Sequence, residues 1–328
     1  MRIKGILTGA LLFFMASCEG HPSATASFHI EPIRIQRFDQ ALFKALESAD
    51  GGLELRQQYP AMLQLFGMGV LNRRSIDDEL FFERIRSYYA EPTLHKLYAD
   101  ALHQYVDVTE LEQQLTKAFA FLKEQLPDLQ VPVICMHVSG LSQNVLVGDS
   151  LLSLSIDKYL GVDYPLYDNY FPPVQRVRMT PQQVSTDYLL GWLMASYPFD
   201  GNESVLLERM IYEGKLRYIV SQALGGKEGV DILAYPEVVE QWCEQHEADM
   251  WQQIIERKLL YTPDQPTTDR FFDDVVSPLY GTEAPQNVGC WIGCRIVSQY
   301  MALTRVTMAH LLAEKEAQHI LSEAKYRP

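Results

Sequence analysis

The chain has 328 residues, of which 47% are apolar, enough to fill a sizeable core. This composition excludes global disorder and suits one large domain or two intimate ones. With 42 acidic and 28 basic side chains, the formal net charge is −14. A field of that sign repels phosphate backbones and anionic lipid headgroups, which argues against nucleic acid as a partner and against membrane attachment through a basic patch.

The N-terminus has the pattern of a bacterial lipoprotein signal. Arg2 and Lys4 precede an apolar run over residues 6–14, and Cys18 follows two small residues. The run is too short to cross a bilayer core of about 30 Å, which needs about 20 helical residues. A cysteine at the cleavage point of a secretory signal resembles a lipobox. We predict a signal peptide over residues 1–17 and lipidation of Cys18. The alternative is an ordinary signal peptide with an incidental cysteine.

The rest of the chain is predicted to form a short tether and one folded domain. Residues 18–30 are small and polar, and residues 31–328 show the periodicity of a mostly helical α+β domain with a small sheet. Two β-branched segments, 131–138 and 144–156, predict neighbouring strands. Helical spacing, punctuated by prolines, predicts helices over residues 38–46, 52–71, 75–90, 106–126, 181–197, 203–223, 236–260, 289–302 and 306–322.

The cysteines that follow Cys18 are too few for a disulfide-built scaffold. They are Cys135, Cys243, Cys290 and Cys294. Cys290 and Cys294 would lie one helical turn apart, with Cβ atoms separated by about 5–6 Å. A disulfide needs Cβ atoms about 3.8 Å apart. We therefore predict free cysteines in the core.

The common catalytic motifs are missing from the sequence. It has no glycine-rich phosphate loop, no Gly-x-Ser-x-Gly elbow, no Cys-x-x-Cys pair and no His-Glu-x-x-His zinc helix. The nearest approach to the zinc motif begins at His246, but Met250 stands where the second histidine is needed. A thioether is a poor zinc ligand, so we interpret His246 as a histidine on a helix surface.

Charged residues in otherwise apolar segments are the main candidates for a site. Asp157 and Lys158 follow an apolar strand, and Asp187 and Glu213 interrupt two largely apolar helices. Carboxylates on buried helices need partners, because unpaired buried charge is costly. One interpretation makes the two helical acids structural ion pairs, and the other makes them remnants of a site. The available cationic partners are Lys158, Arg178, Lys215 and Arg217.

Short runs spread over nearly the whole chain carry a family resemblance. They include Arg37-Phe38-Asp39, Leu154-Ser155-Ile156-Asp157-Lys158-Tyr159-Leu160-Gly161, Met210-Ile211-Tyr212-Glu213-Gly214-Lys215, Trp291-Ile292-Gly293 and Ala324-Lys325-Tyr326-Arg327-Pro328. In these runs the chain resembles the gliding-motility lipoprotein family GldB. The resemblance implies an envelope lipoprotein that works with the machinery for gliding and type IX secretion, with envelope proteins as partners. It implies no cofactor beyond the diacylglycerol and acyl lipid on Cys18. No acidic run follows that cysteine, which favours the periplasmic face of the outer membrane.

A more distant resemblance is to zincin-like peptidases of the gluzincin type. In those proteins one helix supplies His-Glu-x-x-His, and a later helix with a Glu-Gly pair supplies the third ligand, the position of Glu213 here. Aligning the helix over residues 181–197 places Thr186 and Leu190 at the histidine positions and Asp187 at the general base. The resemblance implies a zincin-like fold without a metal and without catalytic residues. Its vestigial site would comprise Asp157, Lys158, Asp187, Glu213 and Lys215.

Taken together, the two resemblances imply a non-catalytic scaffold or binding protein. One alternative is a metal-dependent, peptidase-like hydrolase that uses Asp157, Asp187 and Glu213 as an all-oxygen site, which would suit Ca²⁺ or Mg²⁺ better than zinc. Another is a lipoprotein that binds a small ligand on the aromatic surface around residues 164–167. For that surface, a packed loop braced by prolines is the competing interpretation.

Overall fold

A computed structural model of the protein describes residues 30–48, 51–72, 76, 80–226, 228–229, 231–273 and 285–328. Cys18, the predicted signal peptide and the predicted tether up to residue 29 lie outside these residues. Within the described ranges, no helix is both long enough and apolar enough to cross a membrane.

Helices make up most of the described chain and pack around one small sheet, in agreement with the predicted α+β class. The helices are α1 (Phe38–Glu47), α2 (Gly51–Gln58), α3 (Pro60–Gly69), α4 (Phe81–Tyr89), α5 (Pro92–Gln104), α6 (Thr109–Gln125), α7 (Pro173–Arg176), α8 (Val184–Ser196), α9 (Leu206–Ala223), α10 (Glu237–Glu256), α11 (Gln265–Asp269), α12 (Val288–Thr304), α13 (Met308–Ala313) and α14 (Ala317–Ala324). The strands are β1 (Val133–His137), β2 (Val145–Val147) and β3 (Leu151–Ser155).

The sheet has the order β1-β3-β2, so the last strand in sequence is the central one. β3 runs parallel to β1, with Val133 opposite Leu151, and antiparallel to β2, with Leu146 opposite Ser153. The predicted strand over 144–156 is therefore a hairpin of two strands. It turns at Gly148, whose N–H donates to the carbonyl of Leu151 at 2.8 Å.

Helix α8 packs against β2 and β3 and ties itself to β1. The hydroxyl of Tyr188 donates to the carbonyl of Cys135 in β1, and both residues are fully buried. On its other edge, β1 is bridged by Gln36, whose N–H donates to the carbonyl of Ile134 at 2.8 Å. This packing brings the start of α8 close to the turn that follows β3.

Helices α9 and α12 form the most extensive helix pair and approach each other at two glycines. A Cβ atom on Gly214 would lie 2.3 Å from the carbonyl oxygen of Gly293, and one on Gly293 would lie 2.0 Å from the carbonyl oxygen of Met210. Both distances are far below van der Waals contact, so the two backbones touch and only glycine is compatible with the contact.

Two predicted helices are interrupted in the structure. The prediction over 52–71 is wrong in its continuity, because Pro60 has no N–H to extend α2 and instead begins α3. The prediction over 306–322 is also wrong in its continuity. The chain leaves helical geometry at Glu314 (φ −70°, ψ 114°), and the carbonyl of that residue accepts a hydrogen bond from the buried ammonium of Lys215.

The N-terminal half differs from the prediction at two further helices. Of the helix predicted over 75–90, the described part is α4, which begins at Phe81; residues 75 and 77–79 lie outside the described ranges. Helix α5 was not predicted. It begins at Pro92, and the Glu91 side chain caps it by accepting from the N–H of Leu94 at 2.8 Å. Glutamate is not among the preferred N-cap residues, whereas proline in the first turn is a common helix start.

The four cysteines of the described chain are free and buried, which confirms the prediction of core cysteines. His246 lies on α10, half-buried, and its ring stacks on Trp242 with the centroids 4.3 Å apart.

Candidate functional site

Asp157 is a buried acid that holds the loop after β1. It lies in the turn that follows β3, and its carboxylate accepts from the N–H of Ser139 at 3.1 Å, from the N–H of Leu141 at 2.7 Å and from the hydroxyl of Ser155. Leu141 has a φ of 65°, a left-handed conformation that a leucine adopts only when its surroundings enforce it. Burial raises the pKa of Asp157, and these hydrogen bonds act in the opposite direction. The carboxylate is thus committed to local structure.

Asp187 is an acid in the first turn of α8 with two donors. Arg178 Nη2 donates to one carboxylate oxygen at 2.9 Å, and the Tyr159 hydroxyl donates to the other at 2.6 Å. Burial, followed by the charge of Asp187, raises the pKa of Tyr159 well above its ordinary value, so the hydroxyl keeps its proton and remains a donor. Asp187 therefore has the structural ion pair that one of the two interpretations expects.

Glu213 and Lys215 lie on α9 in separate interactions. Glu213 pairs with Arg217 one turn along the same helix, beside the buried Cys290 of α12. The Lys215 ammonium donates to the carbonyl of Glu314 between α13 and α14, and burial lowers its pKa to about 8. Glu213 thus has a structural partner too, an arginine rather than either lysine.

The structure brings two of the five predicted site residues together in one cleft. The cleft has a volume of about 190 Å³ and opens beside the turn after β3. Lys158 and Asp187 line it, whereas Asp157, Glu213 and Lys215 do not. Its other lining residues are Asn144, Tyr159, Phe171, Gln175, Arg178, Met179 and Gln286.

Lys158 provides the unbalanced charge of this cleft. Its ammonium lies 5.5 Å from the centroid of the Phe171 ring, and among the described residues no carboxylate lies within ion-pair distance of it. Burial lowers its pKa, with the charge of Asp157 acting in the opposite direction. Since Arg178 is already paired with Asp187, the lining carries one net positive charge in a molecule of net charge −14.

Gln286 completes the cleft, and sequence reasoning missed it. Only 3% of the residue is exposed, and its Nε2 donates to the carbonyl of Val174 at 3.0 Å. Its Oε1 has no hydrogen-bond partner among the described residues. No local pattern marks this glutamine, because only the tertiary fold brings it into the same cleft as Lys158.

The aromatic loop at residues 164–171 is a packed loop at its centre. Tyr167 is fully buried; its hydroxyl donates to the carbonyl of Asp157 at 2.6 Å and accepts from the N–H of Leu160 at 3.0 Å. Tyr170, by contrast, is 63% exposed. The geometry favours the packed-loop interpretation over an aromatic binding surface.

Comparison with protein families identifies the chain. Residues 21–328 match the family model described as gliding motility protein GldB. The chain belongs to the GldB family. No curated protein and no solved structure matches it. Membership confirms the resemblance carried by the sequence runs and makes this a gliding-motility-related lipoprotein associated with the cell envelope. The zincin-like resemblance stays a prediction.

The cleft of this GldB-family protein combines an ion pair with polar and apolar side chains. Asp187 accepts from a guanidinium and a phenol, which fix the orientation of its carboxylate. No group of three metal-ligating side chains occurs within the part of the chain that the structure describes. What the cleft offers is a half-buried ammonium, neutral amides and an apolar wall, groups that recognise a ligand.

Proposed function

We propose that this GldB-family protein is an outer-membrane lipoprotein that faces the periplasm and supports gliding motility and type IX secretion. It acts as a non-catalytic scaffold or binding protein for other envelope proteins of that machinery. Family membership supports the link to gliding and to a lipid-anchored protein.

One observation carries the non-catalytic part of the proposal. Each acid that a hydrolytic site would use is engaged in its own structural network: Asp157 with a loop backbone, Asp187 with an arginine and a tyrosine, and Glu213 with an arginine. A metal ion needs carboxylate oxygens that are free to ligate it. A carboxylate that acts as a general base needs an oxygen that is free to take up a proton. A zincin-like ancestor whose ligand positions became structural would account for this arrangement.

The anchor of the proposal is Cys18. We propose that residues 1–17 are removed, that Cys18 carries the lipid, and that residues 18–30 tether a single domain formed by residues 31–328. A single acyl chain of myristoyl length binds membranes only marginally, so stable attachment takes several chains, as on a lipidated cysteine. The sequence after Cys18 contains no acidic run, which supports the periplasmic face.

Complementation of a deletion strain tests this function. In a gliding host, the wild-type gene should restore spreading, incorporate labelled palmitate and give a protein in the outer-membrane fraction that protease cannot reach in intact cells. The Cys18→Ala variant should lose label, membrane location and spreading together. If that variant stays in the outer membrane and restores spreading, or if protease degrades the wild-type protein in intact cells, the proposal is wrong.

A hydrolysis assay separates the scaffold from the alternative enzyme. Wild-type protein should release no product from a mixed peptide library in the presence of Zn²⁺, Ca²⁺ or Mg²⁺. Hydrolysis that disappears in Asp187→Asn, while the variant keeps the thermal stability of wild type, would establish the metal-dependent hydrolase instead.

A further inference from the structure

The unpaired ammonium of Lys158 points to an anionic ligand. Its half-buried position lowers the pKa of the side chain, because burial penalises the charged form, and the charge of the neighbouring Asp157 acts in the opposite direction. No described carboxylate forms an ion pair with this ammonium, so it has room for a further anionic partner. The cation next to it, Arg178, is matched by Asp187. One additional negative charge would therefore bring the lining to neutrality.

The buried Oε1 of Gln286 adds a second requirement. It is an acceptor shielded from water in a residue that is only 3% exposed, and it lacks a donor among the described residues. Buried acceptors in folded proteins almost always have a donor. A ligand that satisfies both residues carries a negative charge and also an N–H or O–H group.

We infer that this cleft binds the C-terminal carboxylate of a peptide chain, with Lys158 holding the carboxylate and Gln286 accepting from the adjacent amide N–H. The inference deepens the proposed binding function and rests on it: the peptide is the C-terminus of an envelope protein that this lipoprotein binds. A peptide end presents a monoanion and an N–H on either side of one Cα atom, and so supplies one partner to each of the two side chains that line the cleft.

Size and charge favour this ligand over others. The cleft, at about 190 Å³, is smaller than pockets that enclose whole small molecules, which span about 300–1,000 Å³. It therefore suits the end of a chain whose remainder lies outside. One net positive charge balances a carboxylate but not a phosphate monoester, which carries about −1.5 to −2 at neutral pH. Phe171 and Met179 provide an apolar wall for the terminal side chain.

Four small probes test the inference on the purified, full-length lipoprotein in detergent. N-acetylglycine has both the carboxylate and the N–H; N-acetylglycinamide lacks the carboxylate; N-acetylsarcosine lacks the N–H; inorganic phosphate supplies a different anion. In calorimetric titrations, N-acetylglycine should bind most tightly of the four. The affinity for N-acetylglycinamide should be lower by about tenfold or more, as expected for the loss of a charge-assisted hydrogen bond. N-acetylsarcosine should be several-fold weaker.

Two variants and one control assign the binding to the cleft. Lys158→Met keeps the aliphatic stem and should lower the affinity for N-acetylglycine by about tenfold or more. Gln286→Met should remove the difference between N-acetylglycine and N-acetylsarcosine. Lys117→Met, which removes an exposed lysine of α6, should bind as wild type does.

The contradicting outcomes are distinct. Absence of saturable binding by N-acetylglycine, or equal binding by Lys158→Met, would overturn the inference. Phosphate that binds more tightly than N-acetylglycine would reassign the cleft to another anion, and equal binding of N-acetylsarcosine would overturn the role of Gln286. These titrations do not depend on membrane location or motility. A failed titration beside successful complementation refutes the ligand alone, whereas the reverse result refutes the proposed cellular function.

Discussion

His137 shows how strongly a single buried side chain can couple this fold to pH. It is fully buried at the end of β1, and its Nδ1 lies 2.8 Å from the hydroxyl oxygen of Ser153. Its Nε2 has no hydrogen-bond partner among the described residues. Burial lowers its pKa from 6.5 to about 3, so the imidazole is neutral in the folded protein.

This pKa makes acid destabilisation predictable. Below about pH 6.5 the unfolded chain takes up a proton that the folded chain refuses until about pH 3, so the free energy of unfolding falls as the pH falls through that window. Between pH 7 and pH 5 the contribution of His137 is about 2 kcal/mol. When the pH is lowered from 7 to 5, the free energy of unfolding of His137→Gln, measured with urea, should fall by about 2 kcal/mol less than that of wild type.

The matched control is His103→Gln, which removes an exposed histidine of α5. It should follow the wild-type pH dependence, because that side chain is in water in both states. If His137→Gln also follows wild type, the buried neutral histidine is not the source of acid lability.

At the same scale, sequence reasoning identified part of the candidate site and missed the rest. Lys158 and Asp187 stood out because charged residues are unusual in apolar segments. Gln286 and Asn144 are ordinary polar residues in the sequence, and their importance comes from the cleft into which the fold brings them. Charge in an apolar context is a local signal, whereas an unsatisfied buried amide appears only in three dimensions.

At the scale of elements, the break between α13 and α14 is linked to the buried Lys215. Its ammonium donates to the carbonyl of Glu314, and an acceptor of this kind is free only where the helix is interrupted. Burial lowers the pKa of the lysine to about 8. Keeping the charged form in this position therefore costs stability at neutral pH.

The sign of this effect gives a second prediction. Between about pH 8 and 10.5 the folded protein has lost the proton of Lys215 while the unfolded chain retains it, so stability rises with pH. From pH 7.5 to 9.5 wild type should gain about 2 kcal/mol relative to Lys215→Met, measured by urea unfolding. The control variant Lys117→Met should show the same increase in the free energy of unfolding as wild type over this pH range. Parallel curves for wild type and Lys215→Met would show that the lysine does not titrate in this range.

The α9–α12 contact gives a third prediction. Gly214→Ala places a Cβ atom 2.3 Å from the backbone oxygen of Gly293, which cannot move without displacing α12. The free energy of unfolding should fall by about 3 kcal/mol, the upper part of the usual overpacking range. Gly191→Ala is the matched control: the nearest atoms to its Cβ would belong to the Val145 side chain, at 3.1 Å, and alanine favours the helix. Equal stability of the two variants would contradict the close backbone contact.

Elements with strong periodicity were predictable, and the exceptions have identifiable causes. Helices α8, α9, α10 and α12 lie where apolar spacing placed them, because each buries an apolar face or is buried all round. Helix α5 begins with a glutamate cap instead of a preferred N-cap residue, and the α13–α14 break lies at a carbonyl that accepts from Lys215, about 100 positions earlier in the chain. The hairpin of β2 and β3 appeared as one broken strand, since pairing partners are set by tertiary contacts.

At the scale of the whole molecule, a strongly negative chain carries a small cleft whose lining has an excess positive charge. The net charge of −14 disfavours non-specific contact with anionic headgroups and nucleic acid, which leaves the proposed lipid on Cys18 to supply membrane attachment. Against that background, the single excess charge beside Lys158 is a local feature that a monoanionic group can recognise. Under the proposed function, the molecule is an anchored receptor for a partner chain.

Metal uptake by the purified lipoprotein tests most directly the claim that its acids serve structure. The protein is incubated with Zn²⁺ or Ca²⁺, dialysed and measured by mass spectrometry, with Asp187→Asn and Glu213→Gln alongside. Because Asp157, Asp187 and Glu213 are engaged in separate networks, we expect wild type and both variants to retain no stoichiometric metal. One equivalent of zinc or calcium in wild type, lost in either variant, would contradict the account and establish a metal site built on these carboxylates.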